Sequence, residues 1–227
     1  GGPLLQPETA RMMHETIDQH TVPLNAMALG FYQQDIRGLR SIGHAGDTNF
    51  FHSNLALFLD RNVGIFVSVN SSGKGASPIR LEVVNEFAKR YFPESHGEIG
   101  PRLDTAKEHS AQLAGLYESS RISKTSFASV IYFFGQMSIA VNEEGDLVFP
   151  FMDGMSTWRE VEPFVWQRVG SYERLAPVFD ESGALEHIAF EFVSPFMQVH
   201  PVPGWRASTW LMPVALAALG LLVLTLV

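Results

Sequence analysis

Ser41-Ile42-Gly43-His44-Ala45-Gly46-Asp47-Thr48-Asn49-Phe50-Phe51-His52-Ser53 is the stretch from which the rest of the chain can be read. Arg40 to Ala45 reads as a strand, and Asp35 to Gly38 as the turn joining it to an earlier strand, Met27 to Tyr32. Past Ser53 come two apolar runs, Asn54 to Leu59 and Val63 to Val69, separated by Asp60-Arg61-Asn62. Runs of that length around a short polar turn form a hairpin. Both are nearly all apolar, so the pattern predicts a sheet covered on both faces. After the loop Asn70-Ser-Ser-Gly-Lys-Gly75 a helix is expected, with Ser77 as its cap and Pro78 in its first turn. Val84, Phe87, Ala88 and Tyr91 recur at helical spacing as its buried stripe, and Pro93 ends it. Pro7 to Met13 reads as a shorter helix start. A helix laid across antiparallel strands is an α+β arrangement, here over residues 1–96.

Beyond this core the composition changes. Residues 97–109 are polar with Gly and Pro and read as a linker. From about Gly115 to Val193 short strands alternate with turns: Ser126 to Phe134, Met137 to Val141, Leu147 to Phe151, Phe164 to Val169, Arg174 to Phe179 and His187 to Val193. Asn142-Glu-Glu-Gly145, Asp153-Gly154 and Asp180-Glu-Ser-Gly183 punctuate them. Residues 110–200 are therefore expected to form a small antiparallel sandwich or barrel. Trp210 to Val227 contains no charged residue, and Trp205, Arg206 and Trp210 stand where interfacial anchors belong. Residues 205–227 read as a transmembrane helix, whose uncharged run Trp210 to Val227, about 18 residues, is near the minimum that crosses a bilayer. The absence of an initiator Met and the end inside an apolar run suggest a fragment cut at both ends.

Composition narrows the classes. With 46% hydrophobic and 18% charged residues the chain is an ordinary folding sequence rather than a disordered one. Sixteen basic residues against 24 acidic ones, without a basic stripe, argue against nucleic acid as a partner. No cysteine means no disulfide, thiolate metal site or cysteine nucleophile in this segment. The eight histidines make no compact ligand set, so no metal and no cofactor are expected. Glu143, Glu144 and Asp146 read as a solvated acidic turn, and the aromatics of Tyr132-Phe-Phe134 and Phe149-Pro-Phe151 as β-domain core.

The opening stretch resembles the third active-site box of the β-lactamase and penicillin-binding-protein serine hydrolases. There a strand edge carries Lys-Thr-Gly or His-x-Gly, followed by two apolar strands ending in Asn. Here His44-Ala45-Gly46 occupies the box, and Asn70 follows the second apolar strand. The resemblance covers roughly residues 1–93, and the Leu113-Ala-Gly-Leu-Tyr117 region is similar to the small β domain often found behind such catalytic domains. It implies an incomplete β-lactamase-like sheet and acyl transfer to a serine. In such chemistry, backbone N–H donors stabilise the charge that builds on the carbonyl oxygen. By position, one donor is the backbone N–H of Asp47. Gly46, without a side chain, lets an acyl group lie along the strand. His44 faces the pocket as a hydrogen-bond partner or part of the proton-transfer network. A histidine at such a place also serves ordinary strand structure through a hydrogen bond. Relatives commonly have smaller residues where this chain has Asp47 and Phe50, and Phe50 with Phe51 is expected to narrow the pocket.

In that family Ser-x-x-Lys and Tyr-x-Asn boxes normally precede this strand, so the resemblance implies both upstream of residue 1. Ser71-Ser72-Gly73-Lys74 matches the first literally but sits in a loop rather than opening a helix. The expected function is thus a membrane-anchored serine hydrolase acting on an ester, amide or peptide, in a segment that lacks the nucleophile. Its expected partners are that small-molecule or peptide substrate and membrane lipid, with the catalytic part outside the cytoplasm. The alternative is a non-catalytic membrane-bound binding or interaction protein that retains the fold. A lipocalin-like carrier built on residues 110–195 is a third reading, for which no run marks a ligand cavity.

Overall fold

The computed structural model describes residues 4–18, 23–71, 78–93, 99–123, 125–151 and 154–225. Ser77 and Ser72-Gly73-Lys74 lie outside them. The first region runs α1 (Pro7–His14), β1 (Thr16–Asp18), β2 (Met27–Ala28), β3 (Tyr32–Gln33), β4 (Ile42–Asp47), β5 (His52–Phe58), β6 (Val63–Val69) and α2 (Ile79–Tyr91). Its six strands form one antiparallel sheet in sequence order. The stretch Met27 to Tyr32, read as one strand, is a tight hairpin: Met27 pairs with Tyr32 and Gly30 turns the chain at φ +75°. Positive φ is cheap only for glycine, which explains why the strand breaks there.

Successive strand residues point to opposite faces, and directly opposite partners share one. Asn54, Ala56 and Phe58 of β5 are buried and lie beneath α2, where Val84, Ala88 and Phe92 complete the cluster. Phe87 packs against it, but Tyr91 is exposed, so the helical stripe is narrower than its spacing predicts. The other face is not covered as expected: Phe66 is 66% exposed. The apolar character of β6 is therefore no sign of two-sided burial, because α2 packs on a single face.

The second region is α3 (Ala106–Ala111) and strands β7 (Gly115–Ser119), β8 (Met137–Val141), β9 (Leu147–Phe151), β10 (Gly154–Glu162), β11 (Val165–Arg168), β12 (Arg174–Phe179), β13 (Leu185–Phe190) and β14 (Gln198–Pro201). All eight close into an antiparallel barrel, with β14 pairing to β7. Of the sandwich and the barrel, the barrel forms. The middle of its interior is packed with aromatic side chains: Trp158 and Trp166 are fully buried, and Phe149 stacks on Trp158 at 5.3 Å between ring centroids.

Four sequence expectations change here. Of the expected 97–109 linker, the described residues 99–109 are not free. Arg102 donates to both carboxylate oxygens of Asp146 (2.9 and 2.7 Å), and α3 begins at Ala106, which is buried with Ser110. Asp146 is accordingly 3% exposed rather than part of a solvated turn. Ser126 to Phe134 is not a strand but lies in a 3-10 segment, Phe127–Gly135. Its flanking strands pair directly, Tyr117 opposite Met137, so the run has no ladder to join despite its β-forming residues. Phe134 is exposed instead of core.

Glu160, at 0% exposure, knits α3 to the barrel. Its carboxylate accepts from the Thr105 hydroxyl (3.2 Å) and the Phe164 N–H (2.9 Å), and shares a hydrogen bond with Nδ1 of His109. The Phe164 contact holds a non-glycine residue at φ +60° in the two-residue turn between β10 and β11. Last comes α4 (Ser208–Leu224), without a buried residue. With the turn before it, Gly204–Leu224 is long and apolar enough to cross a membrane.

Candidate functional site

The segment from His44 to Asp47 forms the outer half of β4. On one side β5 pairs with it along its whole length, from Ile42 opposite Leu57 to Asp47 opposite His52. On the other side β3 reaches only Ile42 and Gly43. Beyond Gly43, among the described residues, no strand pairs with the outer edge of β4. Gly43 itself is obligatory, because a Cβ there would lie 1.8 Å from the carbonyl oxygen of Leu55.

Antiparallel ladders direct successive N–H groups to opposite sides. The Thr48 N–H bonds inward to the Phe51 carbonyl (2.8 Å), which sets the phase. The N–H groups of Ala45 and Asp47 then face the outer edge. Ala45 shows this directly, since its N–H donates to the Tyr32 hydroxyl at 2.7 Å. The Asp47 N–H, two residues further on, faces the same edge.

The side chains divide by face. Ala45 and Asp47 lie on the α2 side; His44 and Gly46 lie on the other. The Asp47 carboxylate accepts from Arg80 of α2 (2.6 Å) and shares a hydrogen bond with Nδ1 of His52 (2.7 Å). Its charge is thus engaged on the face away from His44 and does not crowd that side. His44 is exposed, with its ring 5.2 Å from that of Tyr32. A Cβ added at Gly46 would meet no atom within 4 Å, so there is room along the strand at that point. Phe50 and Phe51 stand exposed at the turn after β4, which Thr48 holds by accepting from both of their N–H groups. Asn70 is exposed at the end of β6.

His44, Gly46 and the Asp47 N–H are therefore brought to one strand edge. Sequence reading missed Tyr32, Arg80 and Gly43. Gly43 stood inside the quoted stretch, but its close approach depends on the backbone of the neighbouring strand. Tyr32 and Arg80 gave no local signal, because each acts through a neighbour on another element. Among the described residues, no group of three His, Asp or Glu side chains could hold a metal ion.

A second concavity, of about 280 Å³, lies where the sheet meets the barrel and is lined by Asp35, Arg37, Asn54, Tyr172, Glu173 and Glu191 among others. The Asn25 and Gln34 amides donate to the Glu191 and Phe192 carbonyls (both 3.4 Å), and Arg37 lies over the Tyr172 ring and donates to its hydroxyl (3.1 Å). Burial holds the Asp35 carboxyl above the ordinary carboxylate range, against hydrogen bonds from Gln33 and Ser41. Burial also raises Glu191, opposed by Arg174, whose Nε donates to both Glu191 oxygens at 3.0 Å.

No family model and no curated protein matches the chain. Among solved structures, a crystal structure of SurE with D-Leu aligns over 88% of this chain and 44% of its own, at 15% identity and a TM-score of 0.47. A second crystal structure of SurE gives 88%, 43%, 16% and 0.46 in the same order. The octameric penicillin-binding protein homologue from Pyrococcus abyssi aligns over 85% of this chain and 41% of its own, at 12% identity and a TM-score of 0.31. The chain spans less than half the length of these proteins. Likenesses at this level assign no family.

Proposed function

We propose that this chain supplies the strand edge of a membrane-anchored serine hydrolase of the β-lactamase and penicillin-binding-protein type, acting on an ester, amide or peptide. The observation that carries the reading is the outer half of β4, with an outward N–H at Asp47, open space at Gly46 and an exposed imidazole at His44. A carbonyl laid antiparallel to this edge meets the Asp47 N–H as its second oxyanion donor. The nucleophile is contributed from outside these 227 residues. His44 orients the substrate or relays a proton, and Tyr32 fixes the edge by holding the Ala45 N–H. The apolar helix α4 holds the protein at the membrane, with the hydrolase outside the cytoplasm.

The test uses the protein expressed from its complete reading frame and assayed with nitrophenyl esters and D-amino-acid peptides. Asp47→Pro deletes the backbone donor at an edge position that tolerates proline. It is expected to lower kcat by about 10²–10³-fold, the usual loss for one oxyanion donor. Asp47→Asn keeps the N–H and is expected to stay within a few-fold of wild type. Equal activity in both variants rejects the assignment. No turnover and no covalent adduct with a phosphonate ester, in a protein that is folded, turns the reading to the non-catalytic binding protein.

A further inference from the structure

The barrel has its own cavity, separate from the strand edge. It measures about 420 Å³, within the range of small-molecule sites, and opens at the end where β7 finishes and β8 begins. Met137, Phe149, Phe190, Phe192, Met197 and Val199 line it. Ser119 and Gln198 are its polar lining residues. Trp158, with its ring 6.1 Å from that of Phe192, belongs to the packed interior beneath.

The outer surface of the same wall carries the base of α4. The Gln136 side chain donates to the Arg206 carbonyl (3.0 Å) and accepts from the Ser208 N–H (2.8 Å). Arg206 pairs with Glu118 at 3.3 Å. Ser119 and Met137 follow Glu118 and Gln136 directly, so the cavity wall and the helix base are about one strand residue, ~3.3 Å, apart along the chain. The 3-10 segment Phe127–Gly135 leads straight into Gln136. Residues 125–136 contain no charged side chain, and Phe127 and Phe134 stand exposed, as do Trp205 and Trp210 at the helix base. Exposed aromatics flanking an apolar helix are what a bilayer interface accommodates.

We infer that this cavity binds one acyl chain of a bilayer phospholipid, drawn in beside α4 while the 3-10 segment rests in the interface. The inference relies on α4 spanning the membrane. A water-soluble apolar ligand would fill the cavity equally well, but it would leave the exposed aromatics and the direct tie to the helix base without a purpose. The bilayer accounts for all three.

The experiment reconstitutes the full chain in phosphatidylcholine vesicles containing a trace of phosphatidylcholine with a photoreactive diazirine near the end of one acyl chain. After irradiation, adducts are mapped by mass spectrometry. Adducts on Met137, Met197 or Val199, in addition to those on α4, are expected. Val199→Trp, which fills the cavity, should cut the cavity adducts at least five-fold and leave the α4 adducts unchanged. If that variant fails to fold by circular dichroism, Met197→Glu makes the same test by placing a charge in the cavity wall. Adducts confined to α4 overturn the inference while the membrane reading stands. A chain that washes off the vesicles in alkaline carbonate overturns both.

Discussion

The barrel and the sheet are made of the same material, antiparallel strands of alternating residues, yet they reach different ends. In the barrel β14 returns to β7, so no strand is left with an open edge, and the aromatic interior is complete. In the sheet, among the described residues, the outer half of β4 has no strand beside it, and the face bearing His44, Gly46 and Phe66 is open. A closed ladder satisfies its own backbone and core; an open one holds donors and apolar surface for something else. The proposed site sits on the region that is not self-sufficient, where the ladder leaves the Asp47 N–H facing outward.

The sharpest way to break this contrast is to damage the self-sufficient half. Trp158→Ala truncates one of the two fully buried tryptophans of the barrel interior and is expected to cost about 3–5 kcal/mol. Urea unfolding followed by circular dichroism reads it. If the cost is under about 1 kcal/mol, the barrel is not the rigid body described here.

A smaller effect is expected at the open half. Arg80→Ala unties Asp47 and His52 from α2. Since the Asp47 side chain is half exposed, solvent screening limits the loss to about 1 kcal/mol. The informative readout is hydrogen exchange, because the end of β4 and the turn at Thr48 should lose protection while the barrel does not. Uniform loss across both regions would mean that the two halves unfold as one and the contrast is only geometric.

The smallest effect concerns the seam between the regions. Asp35 is raised by burial, so the folded protein keeps its proton to higher pH than the unfolded chain does. Stability gained from that proton is fully present below the ordinary carboxylate value and is lost as pH rises through the raised folded value. Asp35→Asn retains an acceptor for Gln33 and Ser41 without the charge. The variant should therefore gain on wild type across that window and remain the more stable at neutral pH. Melting temperatures of both proteins from pH 4 to 8 decide it: an unchanging difference means that Asp35 does not titrate in the seam.

Much of the chain was legible because local patterns carry it. Met137–Val141, Leu147–Phe151, Arg174–Phe179 and Val63–Val69 were readable as alternating or apolar runs between turn residues, and α2 from its spaced Val84 and Ala88. Strands β1, β7, β10 and β14 escaped, and β10 and β14 show why the same test fails. Of these two, the first is the longest strand of the barrel, with Arg159, Glu160 and Glu162 breaking its apolar character, and Glu160 is buried only because Thr105 and His109 meet it. The second has four residues and no turn signal of its own.

At the candidate site the same division holds. Residue types and order alone marked a strand from Arg40 to Ala45, two residues short of Asp47, and an uncharged helix at Trp210 onward, since both follow from short-range periodicity and composition. Only the tertiary structure decided that the Asp47 carboxylate turns to Arg80, that Tyr32 caps the Ala45 N–H, and that β14 closes a barrel with a cavity beside the helix base. Those facts depend on contacts between segments distant in sequence, whose pairing is selected by the packing of the whole rather than by any window of residues.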